Sequence, residues 1–368
     1  MKTLCIVPFT SKEFPLLPHL MSSYDNVIFL SPKGIGTDKE DIAMMQNLEP
    51  LGFKFCNSIK GSIEIADDVL VSNINVEDVA LYNFAYDALE CAVKKGKKVM
   101  SFLQMHSYQK ELLKKRSKIN IDFYDNYEDN VELESAICYK ERKNELYEFK
   151  IPVLYVSELI PDSNGYSVFL NLISMFKKDK KEVLAISSDT YNVLINQTVL
   201  KFEKRNNFPD AIYQINNYIH FLTLQKNPDV ILIKLPQPMI KYDNDNCFDF
   251  GMSAYMLSQA IPGDGNICCS YLGTPILQFW GNLNDSCKYK FGYPILGVFV
   301  NNKRIDMTQE KRISTFCVPN SSEYRIQELK LLNENNSLTF YDANNAIDFK
   351  RFYTFVIRNF FDIKFGVI

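Results

Sequence analysis

The chain has 368 residues, of which 46% are hydrophobic and 23% are charged, a balance typical of folded globular proteins and unlike that of disordered chains or coiled coils. Its formal net charge at pH 7 is −3, so no broad positive field attracts a phosphate backbone, and we expect no nucleic-acid partner. This length exceeds what one hydrophobic core usually supports, which favours two domains.

The start of the chain lacks the pattern of a secretory signal, because Thr10, Ser11, Lys12 and Glu13 interrupt its apolar run. No run of about 18 apolar residues occurs that could form a transmembrane helix. We therefore expect a cytoplasmic protein with no membrane partner. The nine cysteines are odd in number and scattered, which suits free thiols in reducing surroundings.

The first half of the chain repeats a short apolar strand, a polar turn and a helix. The predicted strands are rich in β-branched or aromatic residues, as in a parallel sheet buried on both faces, and lie at residues 4–8, 27–30, 69–72 and 98–103. The clearest helix is predicted at residues 76–95, where apolar residues recur at helical spacing before Gly96. This alternation predicts an open α/β sheet with right-handed crossovers.

Residues 122–150 are rich in charge and tyrosine and separate two strand and helix series. We place the domain boundary in this stretch, with a Rossmann-like α/β domain at residues 1–149 and a second α/β domain with a helical tail at residues 150–368. The second series has predicted strands at residues 153–156, 183–187, 230–233, 267–271 and 295–300, and predicted helices at residues 166–176, 210–225, 250–260, 322–332 and 343–361.

Residues 151–189 have the outline of a phosphate-binding unit, with a strand, a polar loop, a helix and a second strand. A Walker loop needs glycines that let backbone N–H groups close on a phosphate, a lysine for the terminal phosphates, and a serine or threonine for the metal. The loop at residues 157–166 has one glycine, Gly165, and no lysine. We therefore expect two open, mainly parallel, doubly wound sheets, the second resembling a degenerate P-loop domain without metal-dependent ATPase activity.

Polar residues at the expected carboxyl edge of the first sheet form one candidate ligand site, because open α/β sheets bind ligands at that edge. Thr10 follows the first strand, and Ser31, Lys33 and Gly34 follow the second, so the two loops would form one rim if these strands are neighbours. Lys33 and the nearby glycine backbone could together hold an anion. The alternative is a strand-to-helix turn with a solvated lysine.

A second candidate site precedes the helix predicted at residues 166–176. Ser163 and Asn164 lie where helix N–H groups could accept an anion, although helix capping explains the same residue types. Asp189 ends another strand, but one carboxylate without a lysine or threonine makes a poor Mg²⁺ site. The cysteines and the three histidines lack the spacing of a metal site, and we assign no metal, no cofactor and no catalytic residue.

Five sequence blocks, taken in order, resemble the peptide maturation system proteins, a family encoded in anaerobic bacteria beside a radical-SAM maturase and a short Cys-rich peptide. The blocks are PFTSKEFPLLPHL, LSPKGIG, PDVILIKLPQPMI, FGMSAYMLSQAI and KYKFGYPILGVFV, and the resemblance covers Pro8 to about Ile305. The family's second-domain loop resembles a degenerate P-loop in which some members keep an Asn-Lys pair. Here Asn164 matches the asparagine, but Gly165 stands at the lysine position.

The resemblance implies a role in making a ribosomally synthesised, post-translationally modified peptide. One hypothesis is an accessory protein that binds the precursor peptide, the radical-SAM maturase, or both. The alternative is an enzyme that uses a nucleotide or another phosphorylated small molecule in the cleft between the domains. Saturable nucleotide binding by the purified protein would favour the alternative.

Overall fold

The chain forms two compact units in a computed structural model that describes residues 1–36, 38–117, 119, 121–127, 145–201, 208–273, 278–306, 315–319 and 322–361. One unit comprises Met1–Tyr127 with Thr190–Asn196, and the other comprises Glu128–Asp189 with Gln197–Ile368. The chain therefore first passes from one unit to the other within the stretch 122–150. The segment Thr190–Asn196, inside the sequence-based second domain, is grouped with the first unit.

The first unit is built on a parallel sheet. Its described strands are β1 (Thr3–Val7), β2 (Asn26–Leu30), β3 (Phe55–Cys56), β4 (Asp68–Val71), β5 (Lys98–Ser101) and β6 (Ile121–Phe123). They lie in the order β3-β2-β1-β4-β5-β6, and β1 and β4 are buried along their whole length. The described helices of this unit are α1 (Leu17–Met21), α2 (Ile59–Ile65), α3 (Val79–Lys94) and α4 (Ser107–Arg116). Sequence order reverses between β1 and β4, where ligands bind in doubly wound folds.

The second unit has a larger parallel sheet and a small antiparallel hairpin. The sheet's described strands are β7 (Val153–Glu158), β8 (Val183–Ser187), β9 (Thr198–Val199), β10 (Val230–Lys234), β11 (Gly265–Ser270), β12 (Ile295–Val300) and β15 (Phe340–Asp342), and the hairpin pairs β13 (Lys303–Ile305) with β14 (Thr315–Cys317). The strand order in the sheet is β15-β12-β11-β7-β10-β8-β9. Strand β7 therefore lies between β11 and β10, and the loop that follows it opens at the middle of the carboxyl edge.

Helices connect the strands of the second unit. Those that the structure describes are α5 (Gly165–Lys178), α6 (Phe208–Lys226), α7 (Met252–Ala260), α8 (Phe279–Ser286), α9 (Glu323–Asn335) and α10 (Ala346–Phe360). Helix α8 continues into a π-helical turn, Cys287–Phe291. Tyr155 on β7 is fully buried, and its hydroxyl donates one hydrogen bond shared between the carbonyl oxygens of Ile261 at 2.6 Å and Leu257 at 3.1 Å, which fixes α7 against the sheet.

The predicted fold class is confirmed: both sheets are parallel and carry helices in their connections. Continuous apolar strands allowed this prediction, because strands buried on both faces lack the alternation of half-exposed ones. None of the described helices combines the length and the apolarity needed to cross a membrane.

Candidate functional site

The two loops predicted to share a rim on the first sheet do lie side by side. Strands β1 and β2 are parallel neighbours, and the Phe9 N–H donates to the Leu30 carbonyl oxygen at 2.8 Å. The buried Ser31 hydroxyl donates to the Phe9 carbonyl oxygen at 2.6 Å, so this candidate joins the loops. Lys33 and Gly34 are exposed, with Gly34 at φ 104°. Anion binding by Lys33 stays a prediction.

Thr10, the remaining candidate of this rim, binds a buried carboxylate. Its backbone N–H and its hydroxyl donate to Glu13 Oε2 at 2.8 and 2.7 Å. The Tyr191 hydroxyl donates to Glu13 Oε1 at 2.5 Å and accepts the Asn73 N–H at 2.9 Å. Burial raises the pKa of Glu13, against the hydrogen bonds from Tyr191 and Thr10, which lower it. Glu13 therefore occupies the polar groups of Thr10 and links three segments of the first unit.

Glu13 should make the protein less stable as the pH rises. Because its pKa is raised in the folded state, the folded protein keeps a proton that the unfolded chain loses near a pH of about 4.5, and the free energy of unfolding should fall from there up to the folded pKa. Glu13→Gln cannot ionise and should remove this part of the pH dependence. Urea unfolding at several pH values measures it, with the exposed Glu77→Gln as the matched control. If the free energy of unfolding of Glu13→Gln fell with pH as steeply as that of the parent, the pH dependence would come from another group.

At the carboxyl edge of the second sheet, a carboxylate occupies the start of helix α5. Glu158 is the last residue of β7, and its Oε1 accepts the backbone N–H of Gly165, the first residue of α5, at 2.9 Å. Lys234 ends the neighbouring strand β10, and its ammonium group donates to Glu158 Oε2 at 3.4 Å. The Lys234 and Glu158 side chains are only 14% and 16% exposed. The two charges therefore form a largely buried pair.

Burial and nearby carboxylates shift the pKa values of the ionisable groups around this pair. Burial by itself would lower the pKa of Lys234, but the carboxylates of Glu158 and Asp189 more than compensate, so the pKa is raised. Burial, and then the Asp189 carboxylate, raise the pKa of Tyr166 well above its usual value. Cys269 is likewise kept as a neutral thiol, because burial and the Glu158 carboxylate raise its pKa. The site thus holds its lysine charged and its cysteine and tyrosine protonated.

This arrangement reverses the charges of a Walker site. A P-loop carries its lysine beside the helix N-terminus and an acid on a neighbouring strand, whereas here the carboxylate lies at the helix and the lysine ends the strand. The N-terminus of a helix favours an anion through its free N–H groups and its dipole, and the carboxylate of Glu158 supplies that anion from within the chain. A phosphate at this place would have to displace Glu158.

The candidate residues of the second domain lie in or near the same loop. The buried Ser163 hydroxyl donates to the Ile160 carbonyl oxygen, which closes the turn. Asn164 stands at the N-cap position with φ 67°, but its side chain makes no capping hydrogen bond, so the capping interpretation is wrong for this residue. Glu158 caps the helix instead. Asp189 acts electrostatically on Lys234 and on Tyr166, and the structure therefore brings this candidate to the loop.

Sequence reasoning did not identify the Glu158 and Lys234 pair as part of the site. A signal was present, because an acid lay two positions after the apolar run at residues 153–156 and a lysine directly followed the run at residues 230–233. The two residues are 76 positions apart, and only the neighbouring positions of β7 and β10 bring them together. Within the described ranges, no group of three or more His, Cys, Asp or Glu side chains could hold a metal ion.

A cavity of about 480 Å³ opens beside the same loop, entirely within the second unit. Leu159 and Ile160 of the loop form one wall, and residues that follow β10, β11 and β12 complete the lining. The Tyr271 hydroxyl donates to the Pro161 carbonyl oxygen, which fixes the loop against the end of β11. The loop between β7 and α5 thus also contributes to a largely apolar cavity.

The chain is similar over almost its whole length to a solved structure. A DUF1611 family protein from Anabaena variabilis ATCC 29413 matches 96% of this chain and 99% of its own, with a TM-score of 0.61 and 10% sequence identity. At this identity, the likeness establishes a shared fold. No protein-family model and no curated protein sequence match the chain.

Two further solved structures match only part of the chain. Cobyrinic acid a,c-diamide synthase from Mycobacterium smegmatis, with bound ATP analogue and magnesium, matches 56% of this chain and 92% of its own, with a TM-score of 0.34 and 11% identity. The MinD cell division protein of Aquifex aeolicus matches 56% and 89%, with a TM-score of 0.32 and 14% identity. We draw no functional conclusion from similarities this low.

Proposed function

We propose that this protein is an accessory protein in the maturation of a ribosomally synthesised, post-translationally modified peptide, and that it binds the precursor peptide, the radical-SAM maturase, or both. The observation that supports a binding role over nucleotide chemistry is the Glu158 carboxylate at the start of helix α5, where it accepts the Gly165 N–H. The resemblance of the five sequence blocks to peptide maturation system proteins supports the biological setting.

Glu158 opposes phosphate binding in two ways. It occupies an N–H group that a phosphate would need, and its negative charge would repel the phosphate at short range. Lys234, the nearby cation, already pairs with Glu158, and its charge also compensates for Asp189. Nucleotide binding would therefore require this largely buried ion pair to separate.

A binding experiment with the encoded peptide tests the proposal. The resemblance implies a short Cys-rich peptide encoded beside this gene, and that peptide would be synthesised and titrated into the purified protein by calorimetry, with a scrambled peptide of the same composition as the control. We expect saturable binding of the peptide with the native residue order and no saturable binding of the scrambled peptide. Absence of such a reading frame, or equal binding of the scrambled peptide, together with no complex with a neighbouring radical-SAM protein, would refute the proposal.

The parent protein should not bind Mg·ATP saturably at concentrations up to about 1 mM, which corresponds to a binding free energy weaker than about −4 kcal/mol. Glu158→Gln keeps an acceptor for the Gly165 N–H but removes the repelling charge, and should bind Mg·ATP at least about tenfold more tightly than the parent does. Calorimetry measures the dissociation constant of the variant and sets a lower limit on that of the parent. Glu182→Gln, at an exposed carboxylate of the same unit, is the matched control. Tight binding by the parent would favour the nucleotide-using enzyme.

A further inference from the structure

The cavity beside the loop at residues 159–164 has the size and lining of a small-ligand site. Its volume of about 480 Å³ falls within the usual range for such sites. Much of the wall is apolar and comes from several parts of the second unit, namely Leu159, Ile160, Leu272, Phe279 and Ile305. Burying a ligand's apolar group against these side chains would be favourable.

Two cations line the same cavity, Lys241 and Arg304. Among the residues that the structure describes, neither forms an ion pair; Lys241 donates a hydrogen bond to the Asn244 side chain at 3.1 Å. The Arg304 guanidinium lies 5.0 Å from the centre of the Tyr324 ring, a cation–π contact that restricts its position. An arginine held this way loses little freedom when it binds a carboxylate.

Negative groups limit the positive potential around the cavity. Burial raises the pKa of Tyr271 in the cavity wall, and the carboxylates of Asp162 and Glu158 raise it further. Glu158 is already paired with Lys234, which leaves Asp162 to oppose the two lining cations together with Asp243, whose carboxylate interacts electrostatically with Lys241. This balance favours a ligand with one negative charge over a phosphate with two.

We propose that this cavity binds an apolar carboxylate, with the carboxylate at Lys241 and Arg304 and the apolar group against Leu159, Ile160 and Phe279. The C-terminal residue of a peptide has this chemistry, and so does a free aromatic or aliphatic acid. The peptide form rests on the proposed function, whereas the free-acid form does not.

Three probes test the ligand class: N-acetyl-glycyl-phenylalanine with a free C-terminal carboxylate, its C-terminal amide, and 3-phenylpropanoate. Ligand-observed NMR titrations would give their dissociation constants. We expect the carboxylates to bind and the amide to bind at least about tenfold more weakly, because it cannot form a charge-assisted hydrogen bond. Tighter binding of the peptide acid than of 3-phenylpropanoate would identify a peptide C-terminus, and the reverse would identify a free acid. Equal binding of the acid and the amide would overturn the proposal.

Variants of the two cations locate the site. Arg304→Gln and Lys241→Gln should each weaken binding of the tighter acid by about tenfold, the effect of losing one charge-assisted contact. Lys330→Gln, which removes an exposed charge of α9, is the matched control. Urea unfolding of each variant checks that the fold is kept. Unchanged affinity in both folded cavity variants would overturn the proposal.

The same variants separate this inference from the proposed function. If the Cys-rich peptide binds the parent and the Arg304→Gln variant equally while the small acids do not bind, the cavity proposal fails and the proposed function stands. If the acids bind in the expected way while neither the Cys-rich peptide nor a radical-SAM protein binds, the proposed function fails and the cavity proposal stands in its free-acid form.

Discussion

Lys234→Met should lower the free energy of unfolding by about 3 kcal/mol, because it leaves the largely buried Glu158 carboxylate without its cation. Adding Glu158→Gln should restore most of the loss, since the amide still accepts the Gly165 N–H and carries no charge. Urea unfolding of the parent, both single variants and the double variant gives the coupling energy between the two side chains.

The exposed Lys177→Met is the matched control for the Lys234 variant and should change stability by less than about 0.5 kcal/mol. Suppose that Lys234→Met changed the free energy of unfolding by as little as the control, or that the effects of the two single variants simply added up in the double variant. Lys234 would then not stabilise the Glu158 carboxylate. Water would then have to solvate the carboxylate, and the start of α5 would be open to a phosphate.

Gly251→Ala should destabilise the protein by more than about 3 kcal/mol, the range reached by steric overlap combined with backbone strain. Gly251 precedes α7 with φ 75°, a conformation that side chains disfavour, and an added Cβ would overlap the Met239 carbonyl oxygen. Backbone atoms cannot move aside as a flexible side chain can. Either α7 or the chain near Met239 would have to shift.

Two other glycines separate the steric effect from the backbone effect. Gly292 has φ 84° but no atom within 4 Å of an added Cβ, so Gly292→Ala should cost only about 1 to 2 kcal/mol. Gly281 lies within α8 with the same free space and no positive φ, and Gly281→Ala should stabilise the protein by up to about 1 kcal/mol. Urea unfolding ranks the three variants. If Gly251→Ala and Gly292→Ala lowered the free energy of unfolding equally, overlap with the Met239 carbonyl oxygen would not be the cause of the loss at Gly251.

Local sequence patterns were sufficient to predict most of the secondary structure. The helix predicted at residues 76–95 is observed as α3 (Val79–Lys94), and the strands predicted at residues 183–187 and 295–300 are β8 and β12 with the same bounds. The four short edge strands β3, β6, β9 and β15 were missed, and so was the hairpin of β13 and β14. Strands of two or three residues contain too few positions for a pattern, and their pairing partners decide whether they form.

The amino-acid sequence by itself determined the α/β class, the parallel sheets, and a P-loop-like strand, loop and helix without the lysine of a Walker motif. These follow from periodic burial and turn chemistry, which depend on residues close together in the chain. Only the tertiary structure decided which side chains lie at this loop. Glu158, Lys234 and Asp189 meet because β7, β10 and β8 are neighbours, and the cavity exists because three strand ends and a hairpin converge. Strand order results from packing between distant segments, and the spacing of the residues along the chain does not encode it.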